Sequence, residues 1–233
     1  DDMMMTGKRH PFKNFYEIGF DNDGKILAFK AQLYANGGAY TDLTPSILDR
    51  AMFHIDGCYY FEHCKIEGSA VRTNQHSNTA FRGFGGPQGN MTIESIIEDV
   101  ANFLKVDSYK IRRLNLYGKE NRNITPYGQL VDNNVLPEIF DGLYESSDYE
   151  KKGKLRGLSM TGCKFGIAFT ARHLNQGNAL VNVHLDGTIQ VSTGATEMGQ
   201  GVNTKMQQIT AHAFGIDPKK VVMMPTSTEK NHN

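Results

Sequence analysis

The sequence predicts an α+β protein made of two similar mixed units, placed at residues 1–130 and 131–233. Three observations predict this. Two strand-like pairs are joined by the tight-turn signals Asp21-Asn22-Asp23-Gly24 and Asp186-Gly187. Two glycine-rich loops, Asn78–Gly89 and Gly194–Gly201, follow strand-like runs. Each loop leads into apolar residues recurring at helical spacing. The two parts therefore share an order of hairpin, glycine loop and helix.

In chain order, Asp1–Pro11 is polar with a Met3-Met4-Met5 run and then Lys8-Arg9-His10. Lys13–Phe20 and Lys25–Tyr34 read as strands, and Asn36–Tyr40 as a loop. Ile47–Cys58 is ambiguous, although Ile47, Leu48, Met52 and Ile55 fit a short helix. Ile66–Thr73 reads as a strand. In the following loop, glycines permit positive φ and close approach of other groups. Pro87 suits a first helical turn, where a missing N–H costs nothing. Met91, Ile93, Ile96, Ile97, Val100, Ala101 and Leu104 then mark a helix. A strand, a glycine loop and a helix N-terminus together suit an anion or a polar ligand face, and glycine also serves buried structural loops.

Asp107 caps a helix from Ser108 to about Leu116. Tyr117–Asn134 is a polar crossing loop, and Pro137 opens a helix to about Ser146. The boundary between the units falls between Tyr117 and Gly153. Leu155–Ile167 reads as strand, broken by Gly157, Gly162 and Gly166. Ala179–Leu185 and Thr188–Thr193 form the second hairpin. After the second loop, Val202, Met206, Ile209, Ala213 and Phe214 share a helix face, and Gly215 ends it. Val221–Met224 is a short strand.

Composition limits the function classes. The 233 residues carry 25 acidic and 25 basic side chains, for zero formal net charge. That balance argues against nucleic acid as a main partner. No apolar run reaches membrane-spanning length. Three cysteines, Cys58, Cys64 and Cys163, suggest no disulfide framework, so a reducing, cytoplasmic compartment is expected. No signal peptide is seen, and the start at Asp1 suggests a fragment or a piece of a subunit.

Several chemistries fit poorly. Gly83, Gly85 and Gly89 mimic a dinucleotide fingerprint with the last spacing off by one. His54, Cys58, His63 and Cys64 match no common zinc spacing. No Gly-x-Ser-x-Gly elbow is present. Cys163 beside Lys164 offers a thiol, but a small buried residue in a strand is its commoner role. Arg50 beside Asp49 reads as a solvated or ion-paired residue unless it shares a cavity with the Phe81–Phe84 loop. Phe165 and Phe169 are either core or a flat aromatic face beside a ligand.

Three stretches carry a specific resemblance: NTAFRGFGGPQG (Asn78–Gly89), TEMGQGVNTKM (Thr196–Met206) and TGKRHPF (Thr6–Phe12). Over nearly the whole chain the sequence resembles the molybdenum-binding large subunits of the xanthine dehydrogenase and aldehyde oxidase family. The resemblance implies two units flanking a molybdenum–molybdopterin site, with iron–sulfur clusters and FAD on other domains or subunits. It implies that Arg82 lies with its backbone near molybdenum, and that Met198, Gly199 and Gln200 bind the pterin. Phe84 and Phe169 resemble the pair that sandwiches a heteroaromatic substrate, and Thr170 a threonine near a substrate oxygen. Arg50 resembles the arginine that binds the purine and steadies charge as it builds up. It tilts the reading towards oxidation of hypoxanthine and xanthine to urate, as part of purine catabolism.

An aldehyde or other N-heterocycle substrate remains open, as does a non-catalytic scaffold. The family's general base and second substrate glutamate match no position here, and Glu94 and Glu197 do not take those roles. The 233 residues alone are therefore expected to be inactive.

Overall fold

A computed structural model describes residues 2–151, 153, 155–166 and 168–231. It divides into two compact units, Asp1–Thr170 and Ala171–Asn233. The expected sequence boundary at 130/131 lies inside the first unit, because Phe140 packs into that unit's core. The predicted strand over Leu155–Ile167 is corrected: Leu155–Gly166 forms no strand, and Ile167 lies outside the described residues. Its glycines weaken a ladder, and its polar groups bond to side chains instead.

The first unit opens with a helical turn, α1 (Asp2–Met5), and then a hairpin of β1 (Phe12–Phe20) and β2 (Ile26–Gly38). Asp21 Oδ1 accepts from the N–H groups of Asp23 and Lys25 at 3.0 and 2.9 Å. This local bonding is why an aspartate starts the turn. The side chain of Asn115 also clamps the turn, donating to Gly24 O and accepting from Ile26 N, each at 2.9 Å. Helix α2 (Thr44–His54) makes the first part of the ambiguous Ile47–Cys58 stretch helix, and 55–58 is turn. Strand β3 (His63–Arg72) returns parallel to β2.

Along β2, Phe29, Ala31, Leu33 and Ala35 are buried at every second position, as a half-covered sheet requires. They meet Leu48 and Ala51 of α2, Ile55 just after it, and Ile93, Ile96, Ile97, Val100 and Ala101 of α3 (Gly86–Leu104). Met91 is exposed and does not join this face. Helix α4 (Ser108–Asn115) starts at Asp107, whose side chain accepts from Tyr109 N at 2.9 Å. Helix α5 (Leu136–Ser146) has its proline in the first turn.

Two glycines set the crossing of α3 over α2. A Cβ on Gly85 would stand 2.1 Å from Ile47 O, and one on Gly89 2.4 Å from Ala51 O. Both obstacles are backbone atoms, which cannot swing aside. We expect Gly89→Ala to destabilise the unit by about 3 kcal/mol, measured by urea unfolding.

The second unit pairs β4 (Ala179–Val183) with β5 (Ile189–Thr193) as a hairpin. Helix α6 (Val202–Phe214) then leads to β6 (Val221–Met223), parallel to β5. This unit thus repeats the first unit's order of hairpin, helix and parallel strand. Ile189, Val191, Ala211 and Val221 form its core. Ile209 and Phe214 stay exposed, so the packed face of α6 centres on Ala211. Gly215, at φ 65°, ends the helix as its spacing predicts.

Candidate functional site

Helix α2 organises the site of the first unit. Arg50 and His54 lie four residues apart, on one face. Both meet the segment 162–170, which runs beside the helix. Arg50 is only 6% exposed. Its two terminal nitrogens donate to Gly166 O and Ala168 O. Its guanidinium lies 5.2 Å from the Phe165 ring centre. Burial lowers the Arg50 pKa from its ordinary value, and a guanidinium stays charged regardless. The solvated surface role is therefore corrected: Arg50 is buried and fastened to main-chain carbonyls.

His54 joins the same two elements. Gly166 N donates to its Nε2 at 2.8 Å, so that nitrogen is the acceptor and Nδ1 carries the proton. Nδ1 donates to Arg50 O at 2.9 Å. Burial pushes the His54 pKa from 6.5 down to about 4. A neutral ring is what this pairing needs, since a proton on Nε2 would face the Gly166 N–H. The stability from this group is therefore present above about pH 6.5 and lost as pH falls towards about 4. Urea midpoints should fall across that window, and a His54→Gln variant should show a flatter dependence.

The same segment is held a third time. Lys164 Nζ pairs with Asp56, which is 1% exposed, and donates to Tyr127 Oη at 3.1 Å. Tyr117 Oη donates to the same Asp56 oxygen at 2.6 Å. Thr170 Oγ1 donates to Ser46 O, in the first turn of α2, at 3.2 Å. Next to it, Phe169 meets Phe84, with ring centres 5.3 Å apart and planes inclined by 51°. Arg50, Phe84, Phe169 and Thr170 are thus gathered along one side of α2. The two rings touch one another, however. A flat molecule between them needs about 3.5 Å on each side, or about 7 Å in all.

Arg82 has an exposed side chain in the glycine loop. A pocket of about 500 Å³ opens there, lined among others by Arg82, Phe81, His54, Asn90 and Phe165. Gly83, Phe84 and Gly85 are all left-handed, at φ 94°, 49° and 100°. Gly85 caps α3 without any side chain bonding the helix end. A helix N-terminus beside a pocket fits an anionic or polar cofactor edge, although here Gly86 N already donates to Gly83 O at 2.9 Å and Pro87 has no N–H; a Cβ on Gly86 would be 2.5 Å from the Phe165 ring.

The loop carrying Met198, Gly199 and Gln200 lies in the second unit. Glu197 Oε1 accepts from Gly199 N at 2.8 Å and Gly201 N at 3.0 Å, and Oε2 from Asn203 N at 3.1 Å. Gln200 Oε1 accepts from Met198 N at 2.6 Å. These amide bonds hold the Glu197 carboxyl below its ordinary value. Glu197 shapes the loop, and Glu94 accepts from Arg112 and Tyr59. Both carboxylates are engaged structurally.

Other candidates fall away. Among the described residues no three His, Cys, Asp or Glu side chains group to hold a metal. Cys163 is exposed and lies outside any strand, which corrects its expected buried place, and its pKa is raised, not lowered. Phe165 is exposed and Phe169 half-buried, so neither is core. Sequence reasoning missed the work of His54, Lys164 and Asp56. The four-residue step from Arg50 to His54 was the signal available for one of them.

Family models described as molybdopterin cofactor-binding domains match residues 1–116 and 139–233. The chain is 44% identical to a xanthine dehydrogenase of Dictyostelium discoideum, over 100% of this chain and 18% of that protein. It is 42% identical to one from Arabidopsis thaliana, with the same coverage. The chain thus spans under a fifth of the length of the curated relatives it matches. Among solved structures, quinoline 2-oxidoreductase of Pseudomonas putida is similar at 25% identity and TM-score 0.80, over 98% of this chain and 32% of that one. An aldehyde oxidoreductase of Desulfovibrio desulfuricans is similar at 25% identity and TM-score 0.77, over 97% and 26%.

Proposed function

We propose, since this chain belongs to the molybdopterin-binding family of xanthine dehydrogenases and their molybdenum hydroxylase relatives, that it forms the substrate wall and part of the cofactor cradle of a purine-oxidising enzyme. Hypoxanthine or xanthine is the substrate, urate the product, and iron–sulfur and FAD domains or subunits receive the electrons. A cytoplasmic place in purine catabolism goes with that reading. Among the described residues no helix is long and apolar enough to cross a membrane.

One observation carries the proposal. Arg50, Phe84, Phe169 and Thr170 come together along α2 although up to 120 positions separate them (170 minus 50). A cation, two rings and a hydroxyl suit a flat, polar-edged heterocycle.

The residues present fit the cofactor. The N-terminal turn of α3 and the backbone of the Arg82 loop would hold the molybdenum side, and the Met198–Gln200 loop the pterin. When bound, the molybdenum group supplies the oxygen-transfer and two-electron chemistry. The chain's own part is binding and charge. Phe84 and Phe169 part to take the ring between them and exclude water. Arg50 would release Gly166 O and Ala168 O to offer its planar fork to the purine's anionic edge, where its value is greatest as charge builds up. His54 stays neutral and holds the Phe165–Thr170 segment against α2 by its bond to Gly166 N. Thr170, whose hydroxyl donates to Ser46 O here, would turn from that carbonyl to donate to a substrate oxygen.

A second reading keeps the family but takes an aldehyde or another N-heterocycle. It is favoured by the engagement of both Arg50 donors by main-chain carbonyls. Steady-state turnover of xanthine and of an aldehyde by the intact enzyme decides between them. Purine oxidation should dominate and depend on Arg50. Preferred aldehyde turnover would favour the second reading. No molybdenum in the intact protein would make the chain a scaffold.

A further inference from the structure

We infer that Lys8-Arg9-His10 is a strap that sets the shape of the Phe81–Gly86 loop, with Arg9 as a positioning residue for the site behind it. The loop needs such support. Three successive residues, Gly83, Phe84 and Gly85, are left-handed, and one of them carries a large side chain. A non-glycine residue persists there only where its surroundings hold it.

The strap touches the loop at each step. Lys8 O accepts from Thr79 N at 2.9 Å. Arg9 Nη2 donates to Arg82 O at 2.7 Å, and the guanidinium lies over the Phe81 ring at 4.4 Å from its centre. His10 O accepts from Gln88 Nε2, in the first turn of α3, at 3.2 Å. Its ring bonds Thr44 Oγ1, at the start of α2, at 2.7 Å.

One short segment therefore joins both sides of the glycine loop to both helices. Arg9 grips both residues before the left-handed run. Its planar cation can stack on Phe81 and donate in plane at once, which a lysine cannot. Holding Arg82 O fixes the peptide that leads to Gly83, and so the direction in which Phe84 leaves the backbone. The link to substrate and cofactor rests on the function proposed above; the mechanical claim does not.

The test uses the intact enzyme that contains this chain, as wild type, Arg9→Met and Arg9→Lys. Hydrogen exchange is read on a peptide spanning Phe81–Gly86 and on a reference peptide spanning Ile93–Ala101. In Arg9→Met the loop peptide should exchange about tenfold faster or more, the scale of one charged hydrogen bond. The reference peptide should not change, and Arg9→Lys should fall between. Per bound molybdenum, kcat should drop and the Mo(V) resonance signal should shift.

Unchanged loop exchange, or an equal rise in the reference peptide, overturns the strap. Faster loop exchange with unaltered kcat per molybdenum and unaltered signal overturns its role in positioning the site. A wild-type enzyme without molybdenum defeats the proposed function and the positioning role together, while the exchange comparison still decides the strap. If Arg9→Met does not accumulate, Arg9→Lys decides by the same criteria.

Discussion

Arg50→Met in the intact enzyme is expected to lower purine kcat/KM by at least about a hundredfold. Two losses combine. A donor aimed at developing charge is typically worth about 3 kcal/mol, most of it in kcat. The substitution also strips Gly166 O and Ala168 O of their donors, which loosens the segment that carries Phe169. Arg50→Lys separates the two effects. It keeps the charge but cannot form the planar fork, so it should restore part of the stability and little of the rate. Aldehyde turnover should fall far less, because no anionic edge is present to be met. Equal losses on both substrates would mean that Arg50 serves only the wall and not the substrate.

Lys164→Met is expected to cost about 3–5 kcal/mol of stability at neutral pH, because it leaves the Asp56 carboxylate buried without its cation. Asp56 is 1% exposed. Burial already pushes its pKa up, although Lys164 and Tyr117 pull it down. The sign of the pH effect follows. A carboxyl whose folded pKa is raised is favoured when protonated, so the variant's deficit should be smallest in acid and should grow as pH rises through the folded pKa. Adding Asp56→Asn should recover much of the loss, a coupling that a double-mutant cycle in urea measures. A deficit independent of pH would show that Lys164 contributes packing and not charge.

Much of the scaffold was legible because it rests on local chemistry. Asp21 and Asp107 bond to backbone two residues on, and Gly215 takes a left-handed cap, so each could be read from its neighbours. The α3 face was legible because Ile93, Ile96, Ile97 and Val100 follow the helical period. What failed depends on distant partners. Leu155–Gly166 alternates enough to resemble a strand, yet Lys164 and Gly166 are taken by Asp56, Arg50 and His54 over 100 residues away. The burial of Arg50 was hidden for the same reason. The Phe81–Gly86 loop could be recognised by its glycines, but its tie to Arg9 spans 73 positions and leaves no local trace. Glu197 is set aside as a general base at the level of sequence, but its part in the loop's framework shows only in the three amides it gathers.

A crystal structure of the intact enzyme with a bound purine tests most directly whether this side of α2 is a substrate wall. The Phe84 and Phe169 rings should have parted from 5.3 Å to about 7 Å, with the purine between them and the Arg50 guanidinium on its edge. A purine bound elsewhere, with those rings still in contact and Arg50 still on its two carbonyls, would contradict it.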